Sequence, residues 1–239
     1  MKEQYLPRFA GDTLPGTRTG QAVAIADKLD TLVGIFGIGQ KPSGDKDPYA
    51  LRRATLGILR TIIECELPLD IQMLVEQAVA LLGDCVDAGA ARDALEFING
   101  RYRAYYQEQG IDTPVILSVL AVQPTRPLDF DRRVKAVAAF RQRPEAEALA
   151  AANKRVANIL AKLDSAPGDE IDGALLVEDA EMNLANAVVD AYAAAEPLLE
   201  KGDYRAMLAM LADLREPVDA FFDQVMVMAD DAATRDNRL

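Results

Sequence analysis

The chain has 239 residues, a formal net charge of −12 and no histidine, and half of its residues are apolar. Without histidine it lacks the commonest general base, the commonest metal ligand and the imidazole of a Ser–His or Cys–His pair, so we expect no catalytic residue and no metal ligand here. No apolar run approaches the roughly 18 residues of a transmembrane helix, and no export signal is visible. We therefore expect a cytoplasmic protein without a membrane partner.

Helix-forming residues dominate the composition, and apolar residues recur at helical spacing along most of the chain. Residues 1–16 are predicted as a loop. Predicted helices follow at residues 17–36, 49–64, 68–82, 91–109, 114–122, 129–140, 144–163, 175–199, 203–214 and 217–228. Only 114–122 leaves a strand open, because it contains the run Val115-Ile116-Leu117. The sequence therefore predicts an all-α fold, a multi-helix bundle.

Two loops rich in turn residues organise this series of helices. Residues 40–46 contain Pro42, Ser43 and Gly44 and are the best candidate for a domain boundary. Asp47 and Pro48 then predict a helix start, because Asp accepts from free N–H groups and Pro loses nothing at the first helical position. A second loop is predicted at residues 164–168.

Charge is distributed unevenly along the chain. Residues 126–163, which we name the basic island, carry nine Lys and Arg against four Asp and Glu. Residues 164–239 carry five against eighteen. Because charges in physiological salt are screened beyond about 8 Å, the basic island can bind phosphate despite the negative total. Ordinary solvated helix faces are the alternative interpretation of the same residues.

Six sequence motifs follow one another along the chain: PRFAGD at 7–12, ADKLDTLVGIF at 26–36, QKP at 40–42, DPYALRR at 47–53, ANKRVANIL at 152–160 and FFDQVMVM at 221–228. Together they resemble the β subunit of bacterial glycyl-tRNA synthetase. The resemblance implies that the chain is the C-terminal region of that longer subunit and stops before its final helix.

The resemblance also implies a domain organisation. Residues 1–40 would be the C-terminal part of an HD-like helical domain, and residues 41–239 an anticodon-binding helical domain of the DALR-like type, truncated at its C-terminus. Asp47–Arg52 stands where that class shows its Asp-Ala-Leu-Arg pattern, with Pro-Tyr inserted. An HD-type metal site is not expected without histidine, so we interpret Asp27 as a helix-surface or capping carboxylate.

In the family that the chain resembles, the α subunit makes glycyl-adenylate with ATP and magnesium, and the β subunit binds tRNA. The implied function is therefore tRNA(Gly) binding and anticodon recognition in support of aminoacylation. The implied partners are tRNA(Gly), the remainder of the β subunit and the α subunit, and this chain needs no cofactor of its own. The alternative is a helical scaffold that maintains the β subunit or docks the α subunit without touching RNA.

Candidate RNA contacts follow from the chemistry of the anticodon, which for glycine ends in two cytosines. Unpaired bases are read by stacking and by hydrogen bonds to their edges, and phosphates are bound by Lys or Arg. Three clusters qualify: Arg52 and Arg53; Arg101, Tyr102 and Arg103; and, in the basic island, Arg132, Arg133, Lys135, Lys154, Arg155 and Asn158. The alternative for Tyr102 is a core position, since Tyr102 and Tyr105, or Tyr102 and Tyr106, recur at helical spacing.

Overall fold

A computed structural model of the chain describes residues 2–161, 168 and 171–239. Within these residues every regular element is a helix, apart from an isolated β-bridge between Ser43 and Lys46. The all-α prediction is confirmed. The strand left open at residues 114–122 is excluded, because Thr113–Ala121 is helical.

The α-helices are, in chain order, α1 (Arg18–Gly37), α2 (Leu51–Glu64), α3 (Ile71–Leu82), α4 (Ala90–Gln107), α5 (Thr113–Ala121), α6 (Pro127–Phe140), α7 (Pro144–Leu160), α8 (Asp179–Lys201), α9 (Tyr204–Ala212), α10 (Arg215–Gln224) and α11 (Ala232–Arg238). Short 3-10 turns lie at Lys2–Tyr5, Gly83–Cys85 and Gly173–Leu175. Most predicted boundaries agree within a turn of helix. The predicted end of α7 at residue 163 and most of the loop at 164–168 lie outside the described residues.

Helix α11 is absent from the predicted series. It is short and has almost no apolar periodicity, so the pattern that revealed the other helices is missing. A capping signal does mark its start, because the Asp231 carboxylate accepts from the Thr234 N–H at 2.8 Å. Arg235 and Arg238 lie in its last turn, where positive charge is favourable.

The predicted start of α2 is right in its chemistry and wrong in its position. The Asp47 carboxylate accepts from the N–H groups of Leu51 and Arg52 at 2.8 and 3.0 Å, as a capping residue should. Pro48 is not the first helical residue, because Ala50 adopts a left-handed conformation with φ of 54° and α2 begins only at Leu51. The start of α3 is corrected in the same way from residue 68 to Ile71, with Asp70 as its cap.

The contacts within the chain define two compact units, which we name the N-terminal unit (residues 1–134) and the C-terminal unit (residues 135–239). Helix α6 contributes residues to both. The domain boundary predicted near residue 40 is a boundary between two domain families, which the internal contacts do not test. It stays a prediction.

The N-terminal unit is built around α1, which packs against α2, α3 and α4. Its largest fully buried side chains are Tyr102, Tyr106, Phe130, Leu32, Leu51, Ile58, Leu59, Ile62, Ile98, Ile116, Val33 and Val75. Each such side chain contributes about 1.5–3 kcal/mol through its removal from water. The result is a deep apolar core that fixes the orientation of α2 and α4.

The C-terminal unit has a thinner core. Helix α8 packs against α9 and α10, and α7 packs against α10. Its central cluster consists of Ala180, Phe221 and Val225, with Leu184 and Phe222 among the half-buried side chains around it. Among the described residues of this unit, no leucine or isoleucine is fully buried. Polar contacts therefore supply a larger share of what connects its helices.

Candidate nucleic-acid interface

The first predicted cluster lies at the start of α2. Arg52 is half-buried, and its Nη2 donates to the carbonyl of Gly44 at 2.5 Å. That carbonyl belongs to a tight turn, which is closed by paired backbone hydrogen bonds between Ser43 and Lys46. Arg53 is exposed, and its Nη1 donates to the carbonyl of Arg8 at 3.4 Å. The fold thus orients both side chains, and among the residues that the structure describes neither is paired with a carboxylate.

The second cluster lies on α4, and its first member is Arg101. The Arg101 guanidinium lies over the ring of Phe97, 5.3 Å from the ring centroid. Its Nε is buried and has no hydrogen-bond partner among the described residues. Burial, and next the charge of Arg52, lower the pKa of Arg101, whereas Asp47 acts in the opposite direction. The charges of Arg52 and Arg101, which the sequence placed in separate clusters, therefore influence each other in the folded chain.

Tyr102 belongs to the core. Its side chain has 0% exposure, and its ring stacks on Phe130 with the centroids 3.9 Å apart. Tyr106 is equally buried and donates its hydroxyl to Asp131 at 3.1 Å. Burial raises the pKa of Tyr102 and of Tyr106, and it raises that of Tyr105 to about 12. The core alternative is the one that the structure shows, and no face of Tyr102 is open to a base.

Three of the predicted cations on α4 and α6 are exposed. The first is Arg103, the neighbour of Tyr102 on α4. In the basic island, Arg132 and Lys135 are exposed on α6, whereas the half-buried Arg133 pairs with Asp129 one turn earlier, at 2.8 Å. Arg103, Arg132 and Lys135 thus keep the exposure that a phosphate contact needs. Arg133 stabilises its own helix, α6, through the ion pair with Asp129.

The remaining predicted residues of the basic island lie on α7, where Lys154, Arg155 and Asn158 are all exposed. Arg155 also has an internal role. Its guanidinium lies over the ring of Phe222, 4.2 Å from the centroid, and its Nη2 donates to the Phe222 carbonyl at 3.3 Å. Arg155 therefore connects α7 to α10, while Lys154 and Asn158 present their polar groups to solvent.

Sequence reasoning missed one buried ion pair in the C-terminal unit. Arg238 Nε donates to Glu181 Oε1, and the two side chains are only 8% and 1% exposed. Burial raises the pKa of Glu181, but the hydrogen bonds from Arg238 and from two backbone N–H groups outweigh it, so the net shift is downward. The two residues are 57 positions apart, so no local pattern relates them. The one local feature at Glu181 that the structure shows is its capping box with Glu178 at the start of α8, and this does not involve Arg238.

The Glu181–Arg238 pair lies on the wall of a cavity of about 350 Å³ within the C-terminal unit. Apolar side chains of α7, α8 and α10 form half of its lining, including Val156, Leu184 and Phe221. Within the described residues, no group of three or more His, Cys, Asp or Glu could hold a metal ion, and no helix has the length and apolar character needed to cross a membrane. Cys65 and Cys85 are free thiols.

Two family models match the chain. Residues 1–121 match the model described as glycyl-tRNA synthetase beta subunit, and residues 149–239 match the DALR anticodon binding domain. Glycine–tRNA ligase beta subunits from Aliivibrio fischeri and Pseudomonas aeruginosa are each 59% identical to the chain, over 238 and 239 residues. The chain spans 34% and 35% of these relatives, so it corresponds to about a third of their length.

The two matches divide the predicted contacts. Arg52, Arg53, Arg101 and Arg103 lie in the first match, together with the Asp47–Arg52 motif. Lys154, Arg155 and Asn158 lie in the second. The predicted residues of α6, between positions 132 and 135, lie between the two matches.

Proposed function

The chain belongs to the β-subunit family of glycyl-tRNA synthetase, and we propose that it binds tRNA(Gly) and recognises its anticodon. The observation that carries this proposal is the match of residues 149–239 to an anticodon-binding domain. That match contains α8 to α11 and most of α7, on which Lys154 and Asn158 are exposed. The geometry thus offers an ammonium group and an amide on one helix surface, in the part of the chain whose family relationship concerns the anticodon.

The exposed cations support phosphate binding by the same protein. Arg53, Arg103, Arg132, Lys135 and Lys154 are exposed, as contacts to an RNA backbone require. Arg133 and Arg155 have internal partners, so in this proposal they position helices as well as carry charge. Arg52 and Arg101 are the remaining proposed phosphate contacts. Tyr102 is not proposed as an RNA contact, because it is buried.

The chain would act by positioning tRNA rather than by chemistry. Binding energy from the anticodon, which is remote from the reacting groups, would hold the acceptor end of the tRNA at the catalytic site of the α subunit. The α subunit would carry out the reaction that uses ATP and magnesium. The remainder of the β subunit and the α subunit are accordingly proposed partners. The proposed site of action is the cytoplasm, and no cofactor is proposed for this chain.

A scaffold role is the second candidate, because α8 exposes an apolar surface. Val189 and Tyr192 are 66% and 79% exposed, and they are one turn apart on the same helix. Such a surface is suited to contact with protein rather than RNA. In that case the C-terminal unit would hold subunits together and its cations would be ordinary solvated groups.

Binding to a tRNA(Gly) anticodon stem-loop tests the proposal. We expect the native stem-loop to bind the full chain several-fold more tightly than one in which both cytosines are replaced by uracil. Lys154→Gln and Asn158→Ala should each weaken binding, whereas Lys201→Gln, at the far end of α8, serves as a charge-matched control. Equal binding of the two stem-loops would overturn anticodon recognition, and no binding of either stem-loop at low salt would favour the scaffold.

A further inference from the structure

We propose that Phe9 and Arg53 bind one unpaired nucleotide of tRNA(Gly) that lies outside the anticodon: the Phe9 ring stacks on the base, and Arg53 binds the adjoining phosphate. Both residues belong to the N-terminal unit and to the first family match, outside the anticodon-binding match. The identity of the RNA rests on the proposed function, whereas the site itself follows from the exposure, contacts and charge of its residues.

Phe9 lies in a short turn whose backbone is fixed by hydrogen bonds on both sides of it. The residue is 55% exposed, so its ring is accessible from solvent. The Phe9 carbonyl accepts from the Asp12 N–H at 3.2 Å. The buried Asp12 carboxylate accepts from the N–H groups of Arg8 and Thr13, each at 2.9 Å. A ring presented in this way loses little further conformational freedom when a ligand binds.

Helix α2 anchors this turn at both ends. Arg53 Nη1 donates to the Arg8 carbonyl at 3.4 Å, and Arg60 Nη1 donates to the Asp12 carbonyl at 3.2 Å. Because the two arginines are seven residues apart, they lie on the same side of α2, two turns of helix from each other. The opposite side of α2 is fixed in the core by side chains such as Leu59, which is fully buried. The turn is therefore attached to a helix with a well-defined position.

Two arginines lie beside Phe9, and they differ in what they offer to RNA. The Arg8 guanidinium lies 5.7 Å from the centroid of the Phe9 ring, but it is paired with Asp12 at 2.9 Å, so its charge is largely compensated. Arg53 is exposed, and no ion pair among the described residues includes it. Its bond to the carbonyl of the peptide unit between Arg8 and Phe9 uses one of its five N–H donors. Arg53 thus keeps its charge and four donors for a phosphate next to Phe9.

An exposed aromatic ring beside an exposed cation favours an unpaired nucleotide over an apolar protein surface. A base stacks on the ring through its π face, and the cation binds the phosphate of the same nucleotide. A protein that covered Phe9 would also remove the Arg53 charge from water, which is costly unless the partner supplies a carboxylate. Bases within an RNA duplex are stacked on each other, so the ligand has to be unpaired.

The first measurement is tryptophan fluorescence in the full chain. The chain contains no tryptophan, so Phe9→Trp introduces a single reporter ring at the proposed site. We expect tRNA(Gly) to quench its emission by stacking, and a fully paired RNA duplex to leave it unchanged. Tyr192→Trp, at a residue of α8 that is 79% exposed, is the control and should not be quenched. Equal quenching of the two variants, or none in Phe9→Trp, would overturn the stacking site. A concentration-dependent shift to shorter wavelength, without quenching by RNA, would assign Phe9 to a contact between protein chains instead.

The second measurement is tRNA affinity in variants. Phe9→Ala should weaken binding about tenfold without changing its salt dependence, whereas Phe9→Tyr keeps the ring and should bind normally. Arg53→Gln should also weaken binding about tenfold, and it should lower the dependence of log K on log salt by about 0.7, the value for one phosphate. The control is Arg92→Gln, which removes the same charge at a side chain that is 82% exposed. A loss in Arg53→Gln with unchanged salt dependence would show that Arg53 only positions the turn, and would overturn its phosphate contact.

The anticodon stem-loop separates this site from anticodon recognition. Phe9→Ala should leave the affinity for the isolated stem-loop unchanged, because the proposed nucleotide lies elsewhere in the tRNA. An equal loss of affinity for the stem-loop and for whole tRNA would overturn the assignment to a nucleotide outside the anticodon. Failure of anticodon recognition is a different outcome: the uracil-substituted stem-loop would bind as well as the native one, while Phe9→Ala would still weaken the binding of whole tRNA.

Discussion

The N-terminal and C-terminal units of this chain are both helical, yet different interactions stabilise them. The N-terminal unit buries large aliphatic and aromatic side chains such as Leu59, Ile62 and Tyr102 completely. The described part of the C-terminal unit buries mainly alanines around Phe221 and Val225, and it joins its helices through Arg238 with Glu181 and through Arg155 with Phe222. The first unit therefore depends mainly on apolar burial, and the second depends more on directional polar contacts.

This difference bears on function. The deep core packs α2 against α4, so the side chains that these helices carry, Arg52 and Arg101 among them, have well-defined positions. The described part of the C-terminal unit has fewer large buried side chains and an open-sided cavity, so we expect its helices to be held less firmly. The predictions below test this contrast, beginning with the largest expected effect.

Truncation of a leucine should give the largest difference in stability loss between the two units. We expect Leu59→Ala in α2 to lower the free energy of unfolding of the N-terminal unit by about 3 kcal/mol, because it removes a fully buried side chain and leaves a cavity. Leu184→Ala in α8 should cost about half as much, since Leu184 is only half-buried. Hydrogen exchange of peptides from α2 and α8 measures the two effects, and equal losses would contradict the contrast.

Loss of the buried ion pair should be the largest polar effect in the C-terminal unit. Arg238→Ala leaves the Glu181 carboxylate buried without its partner, and we expect a cost of about 3 kcal/mol. The matched control is Arg215→Ala, whose pair with Asp219 is half-exposed and contributes about 0.5 kcal/mol or less. Urea unfolding of both variants gives the comparison. If the two variants are equally stable, the Glu181–Arg238 pair does not hold α11 in place.

The same ion pair predicts a pH dependence. Because the folded pKa of Glu181 lies below its ordinary value of 4.5, its contribution to stability is complete above about pH 4.5 and is lost as the pH falls through the folded pKa. We expect this loss to be smaller than that of Arg238→Ala, since the protonated side chain still fills its place. Thermal unfolding from pH 7 to pH 3.5 should show a shallower decline in Glu181→Gln than in the unchanged protein.

The smallest effect should come from Arg155→Lys. The ammonium group keeps the charge but loses the planar stacking on Phe222, so we expect a loss of about 0.5–1 kcal/mol in the C-terminal unit. Binding of RNA phosphate should change little, because lysine still provides a positive charge. A large loss of tRNA affinity with unchanged stability would instead show that the Arg155 guanidinium contacts RNA directly.

Sequence reasoning predicted most of the helices because apolar residues at helical spacing form a signal that each segment carries by itself. It also predicted that Asp47 caps α2, since capping involves residues only a few positions apart. The prediction failed at two places. Ala50 takes a left-handed conformation and delays the start of α2. Helix α11 has almost no apolar residues, so the apolar spacing that reveals a helix is missing there.

For the candidate interface, the sequence by itself determined which residue types are present, the uneven distribution of charge and the family relationship, because each of these is a property of the order of residues. Only the tertiary structure decided which arginines are buried and which have partners within the described residues. It placed Tyr102 in the core, set Arg101 over the ring of Phe97 and joined Arg238 to Glu181, because burial and electrostatic interaction depend on distance in space rather than on separation along the chain.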